Sequence, residues 1–222
     1  MKKTIVSWSG GKDSAMMLQV LLENQEIQVC GLFTAVDSIT GRVPFHGVTK
    51  GLIAKQAEEL DLPLHIIEIP PGASNKEYDK SMGEFLKTCR DQKILHAAYG
   101  DLFLADIKKY REELTARHGM KAIFPLWGER PDRLSKKFQS DGFLAVISGL
   151  DGARLPYDFL GRHYDESFVK DLEGRADPCG ENGEFHSFVY GGPLFKTNIP
   201  YVIGRTENRL GSFLTMLIEE RD

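Results

Sequence analysis

A run of six residues near the start of the chain has the composition of a phosphate-binding loop. The run consists of Ser9, Gly10, Gly11, Lys12, Asp13 and Ser14. The two glycines let backbone N–H groups approach an anion without a Cβ in the way, and a following helix would point its free N–H groups at the same place. The serines and the lysine add further donors, whereas the aspartate is suited to holding Mg²⁺. These residues predict a site for phosphate groups, with Asp13 as a metal ligand.

Two common kinds of phosphate loop are excluded by residue type. A Walker loop has the form GxxxxGK followed by Ser or Thr, whose hydroxyl contacts Mg²⁺. With Gly11 and Lys12 at its end, Val6 stands where the first glycine is needed and Asp13 where the hydroxyl is needed. The dinucleotide-binding pattern GxGxxG is also absent from this stretch. The loop therefore belongs to another type.

A second group of chemically active residues lies far along the chain, in the stretch GENGEFHS. It contains Glu181, Asn182, Glu184 and His186, and we expect Glu184 and His186 to share one face of a strand, with Phe185 on the other. Such a cluster is suited to binding an ammonium ion and taking its proton, because only neutral ammonia has a nucleophilic lone pair. A polar hairpin with its charges in solvent is the alternative.

Two further residues are weaker candidates for contact with a substrate. His46 lies in VPFHGV, between a predicted strand and a predicted helix, where it either reaches a cleft or stays on the surface. Cys179 adjoins the acidic cluster and is either a sulfur carrier or, as we favour, a free loop cysteine. The cysteines are far apart and form no CxxC pair, which predicts a reducing, cytoplasmic location.

Strands and helices alternate around the first loop. Short β-branched runs predict strands at KTIVSWS, IQVCGLFTAV, PLHIIEI, AAYGDL and KAIFPL, and amphipathic stretches between them predict helices. This alternation indicates an α/β domain with a parallel sheet covered by helices on both faces. Gly100 and Asp101 follow the fourth strand, at the edge where such sheets bind ligands.

The regular alternation of predicted strands and helices ends after FPLWG. DRLSKKFQSDG predicts a helix with Asp132 as N-cap, and FLAVISGL, EFHSFVYGG, IPYVIGRTE and SFLTMLIEE predict strands. The last three strands favour antiparallel pairing in a separate unit. We therefore place a domain boundary near residue 127, with an α/β domain at 1–127 and a smaller α+β domain at 128–222.

Composition and charge argue against several classes of protein. The net charge of −4 makes a broad nucleic-acid footprint unexpected, and we expect basic residues such as Lys108, Lys109 and Arg111 on a solvated helix surface. No 18-residue apolar stretch occurs, which predicts no membrane span. The apolar run after the first lysines is too short for a signal peptide.

The string S-G-G-K-D-S after a first strand resembles the signature of the PP-loop family, the N-type ATP pyrophosphatases. The resemblance implies that the nucleotide is ATP, that ATP is cleaved between its α and β phosphates, and that the loop binds the leaving pyrophosphate. Members of that family adenylate a carboxylate or carbonyl oxygen, and a nitrogen or sulfur nucleophile then displaces AMP.

Together the two motifs resemble the diphthine–ammonia ligase family, which combines this loop with a C-terminal motif of the form E-G-G-E-[FY]-E-[ST]. YGDL, FPLWG and QAEELDLPL also agree with that family, so the resemblance covers nearly the whole chain. It implies a Rossmann-like (HUP-type) ATP domain, a smaller substrate domain, and amidation of a carboxylate with ammonia at the expense of ATP. It also implies that Gly100 and Asp101 contact the nucleotide or Mg²⁺.

The chain departs from that family pattern at Asn182 and His186. The E-N-G-E-F-H form is similar to a bacterial branch, so we expect a small-molecule carboxylate, such as a corrinoid precursor, rather than diphthine on a protein. Two other functions stay open: a PP-loop enzyme that modifies RNA by thiolation or a lysidine-like reaction, and a non-catalytic ATP-binding protein. The source of ammonia and the formation of a homodimer also stay open.

Overall fold

The structure is a computed structural model that describes residues 1–221, except for the side chains of residues 209 and 210. The first sheet contains β1 (Lys2–Ser7), β2 (Ile27–Asp37), β3 (Leu64–Ile69), β4 (His96–Ala98) and β5 (Lys121–Ile123). All pairings are parallel, and the strand order is β3-β2-β1-β4-β5. Open sheets of this kind bind ligands where the strand order reverses, which is here between β1 and β4.

Helices cover both faces of this sheet, as predicted. They are α1 (Lys12–Glu23), α2 (Lys50–Glu59), α3 (Asn75–Asp91) and α4 (Ala105–Arg117). Neighbouring residues of β1 point to opposite faces, so Val6 packs with α1 and α2 while Ile5 packs with α3 and α4. The prediction of a Rossmann-like α/β fold is confirmed.

The rest of the described chain forms a second unit of helices and strands, and its strands make an antiparallel sheet. The elements of this unit are α5 (Pro131–Ser140), β6 (Leu144–Asp151), a short 3-10 helix (Tyr157–Phe159), α6 (Glu166–Asp171), β7 (Phe185–Gly191), β8 (Tyr201–Leu210) and β9 (Phe213–Glu220). The strand order is β7-β6-β9-β8, and every pairing is antiparallel. The predicted antiparallel tail is therefore confirmed.

The N-cap predicted for α5 is wrong. Arg130 is the N-cap, and Asp132 lies inside the first turn, where its carboxylate accepts a hydrogen bond from Arg130 Nε at 2.9 Å. Pro131 occupies the first helical position, which suits proline because its φ is fixed near the helical value and its missing N–H is not needed there.

The two sheets are separate, but they share one hydrophobic core. Met17 and Leu21 of α1 belong to the same buried cluster as Phe138 of α5, Val146 of β6 and Phe188 of β7. The tail is thus less independent than its sequence suggests, and the boundary at residue 127 stays a prediction. No helix within residues 1–221 has both the length and the apolar character needed to cross a membrane.

Candidate active site

The S-G-G-K-D-S loop connects β1 to α1 and is bound to β7 of the second sheet. The backbone N–H of Val189 donates to the carbonyl of Gly10 at 2.8 Å, and the backbone N–H of Lys12 donates to Ser187 Oγ at 3.1 Å. The loop therefore takes its shape from contacts with a strand that lies far away in the sequence.

Gln56 of α2 adds a buried polar link between these elements. Its side-chain amide donates to the carbonyl of Gly10 at 3.1 Å and to that of Val189 at 2.6 Å, and its Oε1 accepts from Trp8 Nε1 at 2.8 Å. Gln56 is fully buried, so these bonds satisfy polar groups that water does not reach.

Both glycines of the loop are also required by packing. Gly10 has φ +79°, and a Cβ there would lie 2.6 Å from Ile53 Cδ1. A Cβ at Gly11 would lie 2.9 Å from His46 Cε1 and 3.0 Å from the carbonyl oxygen of Ser187. Gly11 is the N-cap of α1 and offers no capping side chain. The N–H of Lys12 is bonded to Ser187 Oγ, so the amide groups of Asp13 and Ser14 are the ones in the first turn that a ligand could use.

A cavity of about 240 Å³ lies at the reversal point between β1 and β4. Its lining includes these predicted residues: Ser9, Lys12, Asp13, Ser14, His46, Gly100, Asp101, Glu181 and His186. The structure thus brings the loop, the end of β4 and part of the acidic motif to one place. Gly10, Gly11, Asn182, Glu184 and Cys179 do not line this cavity.

Arg111 of α4 lines the cavity as well, although we expected it on a solvated helix surface. Its Nε lies 2.9 Å from Asp101 Oδ2, and its Cζ lies 4.7 Å from the ring centroid of Tyr99. Both partners come from the segment after β4. The prediction of a solvated position for Arg111 was wrong because it considered only the charge of α4 and not its contacts with that segment. The neighbouring Lys108 instead lies over the ring of Trp127, 4.2 Å from its centroid.

Lys12 is buried and fully engaged. Its ammonium group donates to Asp13 Oδ2 at 2.8 Å and Oδ1 at 3.0 Å, and also to the backbone carbonyl of Cys179. Burial lowers the pKa of Lys12, but the Asp13 carboxylate, with smaller contributions from Cys179 and Tyr164, outweighs burial and raises that pKa above its ordinary value. Lys12 therefore carries a positive charge at the base of the loop.

Asp13 and Asp101 fit the oxygen-ligand chemistry of Mg²⁺, and the backbone of Gly100 lies directly against Asp13. Burial raises the pKa of Asp101, although the neighbouring Arg111 opposes that shift. No group of three or more His, Cys, Asp or Glu side chains in residues 1–221 has an arrangement that could hold a metal. In nucleotide sites Mg²⁺ usually binds through one or two carboxylates together with phosphate oxygens, and Asp13 and Asp101 are the residues that would hold it here.

Glu181 reaches from the acidic motif to the segment after β4. Its Oε1 accepts a hydrogen bond from the backbone N–H of Leu102 at 2.7 Å. Burial raises the pKa of Glu181 to about 7, and the nearby Asp13 charge adds to the shift while the Leu102 bond opposes it. A carboxyl group with this pKa can accept and release a proton near neutral pH.

Glu184 has a different environment from Glu181. It is buried, and its Oε1 lies 2.8 Å from Arg154 Nη2 and 3.3 Å from Asn182 Nδ2. The expectation that Glu184 and His186 share a face required a strand that includes Glu184, and Glu184 does not line the cavity that His186 lines. β7 begins at Phe185, so Glu184 belongs to the preceding turn, where strand alternation does not apply.

Two imidazole rings meet at the wall of the cavity. The ring centroids of His46 and His186 are 4.5 Å apart, and His46 Nδ1 lies 3.0 Å from the carbonyl oxygen of Ser187. A carbonyl only accepts hydrogen bonds, so Nδ1 carries the proton. Burial lowers the pKa of His46 to about 4 and that of His186 well below its ordinary value, so both rings are neutral at pH 7.

A turn between β2 and α2 delivers His46 to this wall. Residues 42 and 49 form an antiparallel bridge, and Val48 pairs with Ile218 of β9. Phe45 has φ +64°, which is unusual for an aromatic residue, and its ring packs on Phe213 with centroids 5.3 Å apart. Backbone strain of this kind persists where the surroundings fix the conformation, as the second sheet does here.

Cys179 contributes its backbone rather than its thiol. The side chain is buried with Sγ 3.5 Å from the carbonyl oxygen of Pro131, and burial raises the pKa of the thiol to about 12. A protonated thiol is a poor nucleophile, which does not fit a sulfur carrier. The carbonyl of the same residue binds Lys12.

Sequence analysis missed Asp177, which organises the turn before β7. Its Oδ1 accepts from the backbone N–H of Cys179 at 2.8 Å, and its Oδ2 accepts from that of Glu181 at 3.0 Å. Asp side chains commonly bond backbone groups a few residues ahead, so the Asp-Pro pair before the motif was an available signal. Asp177 therefore sets the positions of both the Cys179 carbonyl and the Glu181 carboxylate.

Comparison with known families gives a match over more than half of the chain. Residues 2–122 match the family model for the diphthamide synthase N-terminal domain. The chain belongs to the diphthamide synthase family. Residues 130–213 match the model for the C-terminal domain of the same family. This membership confirms the resemblance that the loop and the acidic motif indicated.

Curated relatives in this family carry the name diphthine–ammonia ligase. The chain is 25% identical to one from Schizosaccharomyces pombe over 210 residues, which cover 86% of this chain and 34% of that protein. It is 26% identical to one from Bos taurus and 25% identical to one from Homo sapiens, each over 212 residues that cover 86% of this chain and 79% of the relative. The chain therefore spans about a third of the yeast relative's length and about four fifths of the mammalian ones.

Proposed function

We propose that this chain is an ATP-dependent ligase that adenylates a carboxylate and amidates it with ammonia, releasing AMP and pyrophosphate. One observation carries the proposal: the S-G-G-K-D-S loop and Glu181 meet in one cavity at the reversal point of a parallel sheet. A loop that binds pyrophosphate and a group that exchanges protons are the two parts that such a reaction needs. The name of the curated relatives, diphthine–ammonia ligase, supports the same class of reaction.

The nucleoside of ATP would bind in a cleft that shares one turn with the phosphate cavity. A mostly apolar cleft of about 510 Å³ lies at the carboxyl ends of β2 and β3, and Val43, Pro44, Phe45, Ile69 and Tyr78 line it. His46 of the same turn lines the phosphate cavity, so one turn borders both spaces. A purine bound in the cleft would place its phosphates toward the loop.

In the first step, a carboxylate oxygen attacks the α-phosphorus, the bond to the α,β-bridging oxygen breaks, and pyrophosphate leaves. Ser9, Ser14 and the uncapped amide groups that follow Lys12 in α1 would hold the departing pyrophosphate, and the charge of Lys12 would stabilise it. Mg²⁺, held by Asp13 and Asp101, would neutralise phosphate charge when bound. The residues contribute mostly placement and electrostatic stabilisation.

In the second step, the nitrogen of ammonia attacks the acyl carbon, and the bond from that carbon to the AMP oxygen breaks. Glu181 would take the proton that the nitrogen must lose, because its pKa of about 7 lets it act as a base near neutral pH. His46 and His186 stay neutral and add no positive charge, so they would not repel an incoming ammonium ion. Glu184 and Asn182 would position the turn that carries Glu181.

The acceptor is proposed as a small-molecule carboxylate, with a protein-borne diphthine as the competing substrate. The departure from the usual motif at Asn182 and His186 supports a small molecule, whereas the name of the relatives supports diphthine. The RNA-thiolation hypothesis loses support, because the thiol of Cys179 is buried and protonated.

The test is an assay of AMP and pyrophosphate release from ATP, with ammonium chloride and a panel of carboxylates, including corrinoid acids and a diphthine-containing elongation factor. We expect release of both products to depend on one carboxylate and on ammonia, and Asp13→Ala to abolish it. Release of orthophosphate without AMP would contradict the proposal. Tight ATP binding with no turnover in any mixture would instead favour a nucleotide-binding protein.

A further inference from the structure

The cavity contains more acidic than basic groups. Among the described residues that line it, the carboxylates belong to Asp13, Asp101 and Glu181, and the permanent cations are Lys12 and Arg111. A polyphosphate that enters this space adds several negative charges. Binding therefore requires positively charged donors that are not already committed to other groups.

Lys12 does not meet that requirement. An ammonium group has three N–H donors, and those of Lys12 bond both oxygens of Asp13 and the carbonyl of Cys179. Its charge still contributes to the local field, but a phosphate would have to displace one of these partners to gain a hydrogen bond from it.

Arg111, in contrast, has N–H donors that are not used by the described residues. Its only ion pair in residues 1–221 joins Nε to Asp101 Oδ2, at 2.9 Å, and neither Nη nitrogen donates a hydrogen bond to a described residue. Its side chain is 30% exposed, so an anion can reach the guanidinium. The guanidinium presents a rigid planar fork, the geometry that matches a phosphate with two parallel hydrogen bonds.

The guanidinium is also held in place before a ligand arrives. It lies over the ring of Tyr99, which is 3% exposed and whose hydroxyl lies 3.2 Å from Thr115 Oγ1. Stacking on a buried ring and pairing with Asp101 limit its rotamers, so little conformational entropy remains to be lost on binding.

We propose that Arg111 binds the phosphate chain of the nucleotide through its free Nη donors, with Asp101 and Tyr99 holding the guanidinium in position. The inference rests on the proposed function, because it assigns a further binding residue within the same cavity. The ligand group is a phosphate oxygen, either of the α-phosphate or of the pyrophosphate unit.

Calorimetric titrations of Arg111→Ala with inorganic pyrophosphate, AMP and adenosine test the inference. A weaker affinity for pyrophosphate assigns the contact to the pyrophosphate unit, and a weaker affinity for AMP with unchanged adenosine binding assigns it to the α-phosphate. We expect a loss of about 10- to 100-fold in one of them, because hydrogen bonds to charged groups contribute about 1.5–3 kcal/mol. Arg111→Lys keeps the charge without the fork and should fall between wild type and Arg111→Ala.

Arg117→Ala is the matched control. Arg117 lies on the same helix, but it pairs with Asp79 at 2.8 Å and does not line the cavity. Its substitution should leave all three affinities unchanged, and circular dichroism should show that each variant is folded. Should Arg111→Ala not fold, the comparison of Arg111→Lys with wild type decides.

Two outcomes separate this inference from the proposed function. If wild type binds pyrophosphate and AMP and the Arg111 variants bind both equally well, the inference is overturned while the ligase proposal stands. If wild type binds neither of them and does not bind ATP, the proposed function fails and the inference fails with it.

Discussion

Replacement of Gln56 tests whether the buried links between α2, the phosphate loop and β7 hold the two sheets together. Gln56→Leu keeps the approximate volume of the side chain but removes its three hydrogen bonds, to Trp8 Nε1 and to the carbonyls of Gly10 and Val189. The site is 0% exposed, so water cannot replace the lost partners unless the structure opens.

The size of the effect follows from which groups lose their only partner. The indole N–H of Trp8 would stay buried and unpaired, which costs about 1–3 kcal/mol. The loss of one neutral hydrogen bond at each carbonyl costs about 0.5–1.5 kcal/mol, and the carbonyl of Gly10 keeps a second bond, from Val189 N. The free energy of unfolding should therefore fall by about 2–6 kcal/mol, a large part of the 5–15 kcal/mol typical of folded proteins.

Urea denaturation followed by tryptophan fluorescence and by circular dichroism measures this change. A double-mutant cycle with Trp8→Phe isolates the unpaired indole, because Gln56→Leu leaves no unpaired N–H in that background. We expect the cost of Gln56→Leu to be lower by about 1–3 kcal/mol when Trp8 is already replaced. Gln25→Ala, at an exposed turn position, is the control and should change stability by less than about 0.5 kcal/mol.

The reasoning would be refuted by a Gln56→Leu variant that loses less than about 1 kcal/mol, or by a cycle without coupling between the two substitutions. Either result would mean that apolar packing, rather than this polar network, joins the two sheets at the loop.

Four further predictions concern the acidic motif and its neighbours. Turnover should rise from about pH 6 to pH 8 as Glu181, with its pKa of about 7, loses its proton, and Glu181→Gln should remove this rise. Because folding raises that pKa above 4.5, wild type should also lose stability relative to Glu181→Gln as the pH rises through 7, which urea denaturation at several pH values measures. Glu184→Gln should lower the free energy of unfolding by about 1–3 kcal/mol, because it removes the ion pair with Arg154. Since that pair lies outside the cavity, the pH profile of turnover should stay unchanged, and a shifted profile would contradict this. Cys179→Ser should retain turnover, and mass spectrometry should find that iodoacetamide labels Cys30 of the native protein before Cys179; loss of turnover in a folded variant would restore the sulfur-carrier hypothesis.

The parallel sheet and the loop could be predicted because their signals are local. A β-branched run, two glycines and an amphipathic helix lie next to one another in the chain, and the order of the elements then fixes which strand ends meet. The positions of Gly100 and Asp101 follow from the same rule, and both line the cavity with the loop.

The roles of Glu184, Arg111 and Gln56 could not be predicted in this way. The direction of Glu184 depends on whether β7 begins before or after it, and alternation in the sequence does not fix such a boundary. Arg111 stands among basic residues of a charged helix, and only the position of Tyr99 and Asp101 distinguishes it from Lys109. Gln56 donates to backbone carbonyls of two other elements. Every residue type has a backbone carbonyl, so the sequence does not indicate which residues these partners are.

The bonds between the loop and β7 limit how members of this family can be recombined. A chimera that joins residues 1–127 of one relative to residues 128–222 of another would keep every strand of both sheets. It would still need a hydroxyl at the position of Ser187, because that side chain of the second part accepts the bond from the Lys12 N–H of the loop in the first part. The phosphate loop and the strand that supports it are therefore exchangeable only as a matched pair.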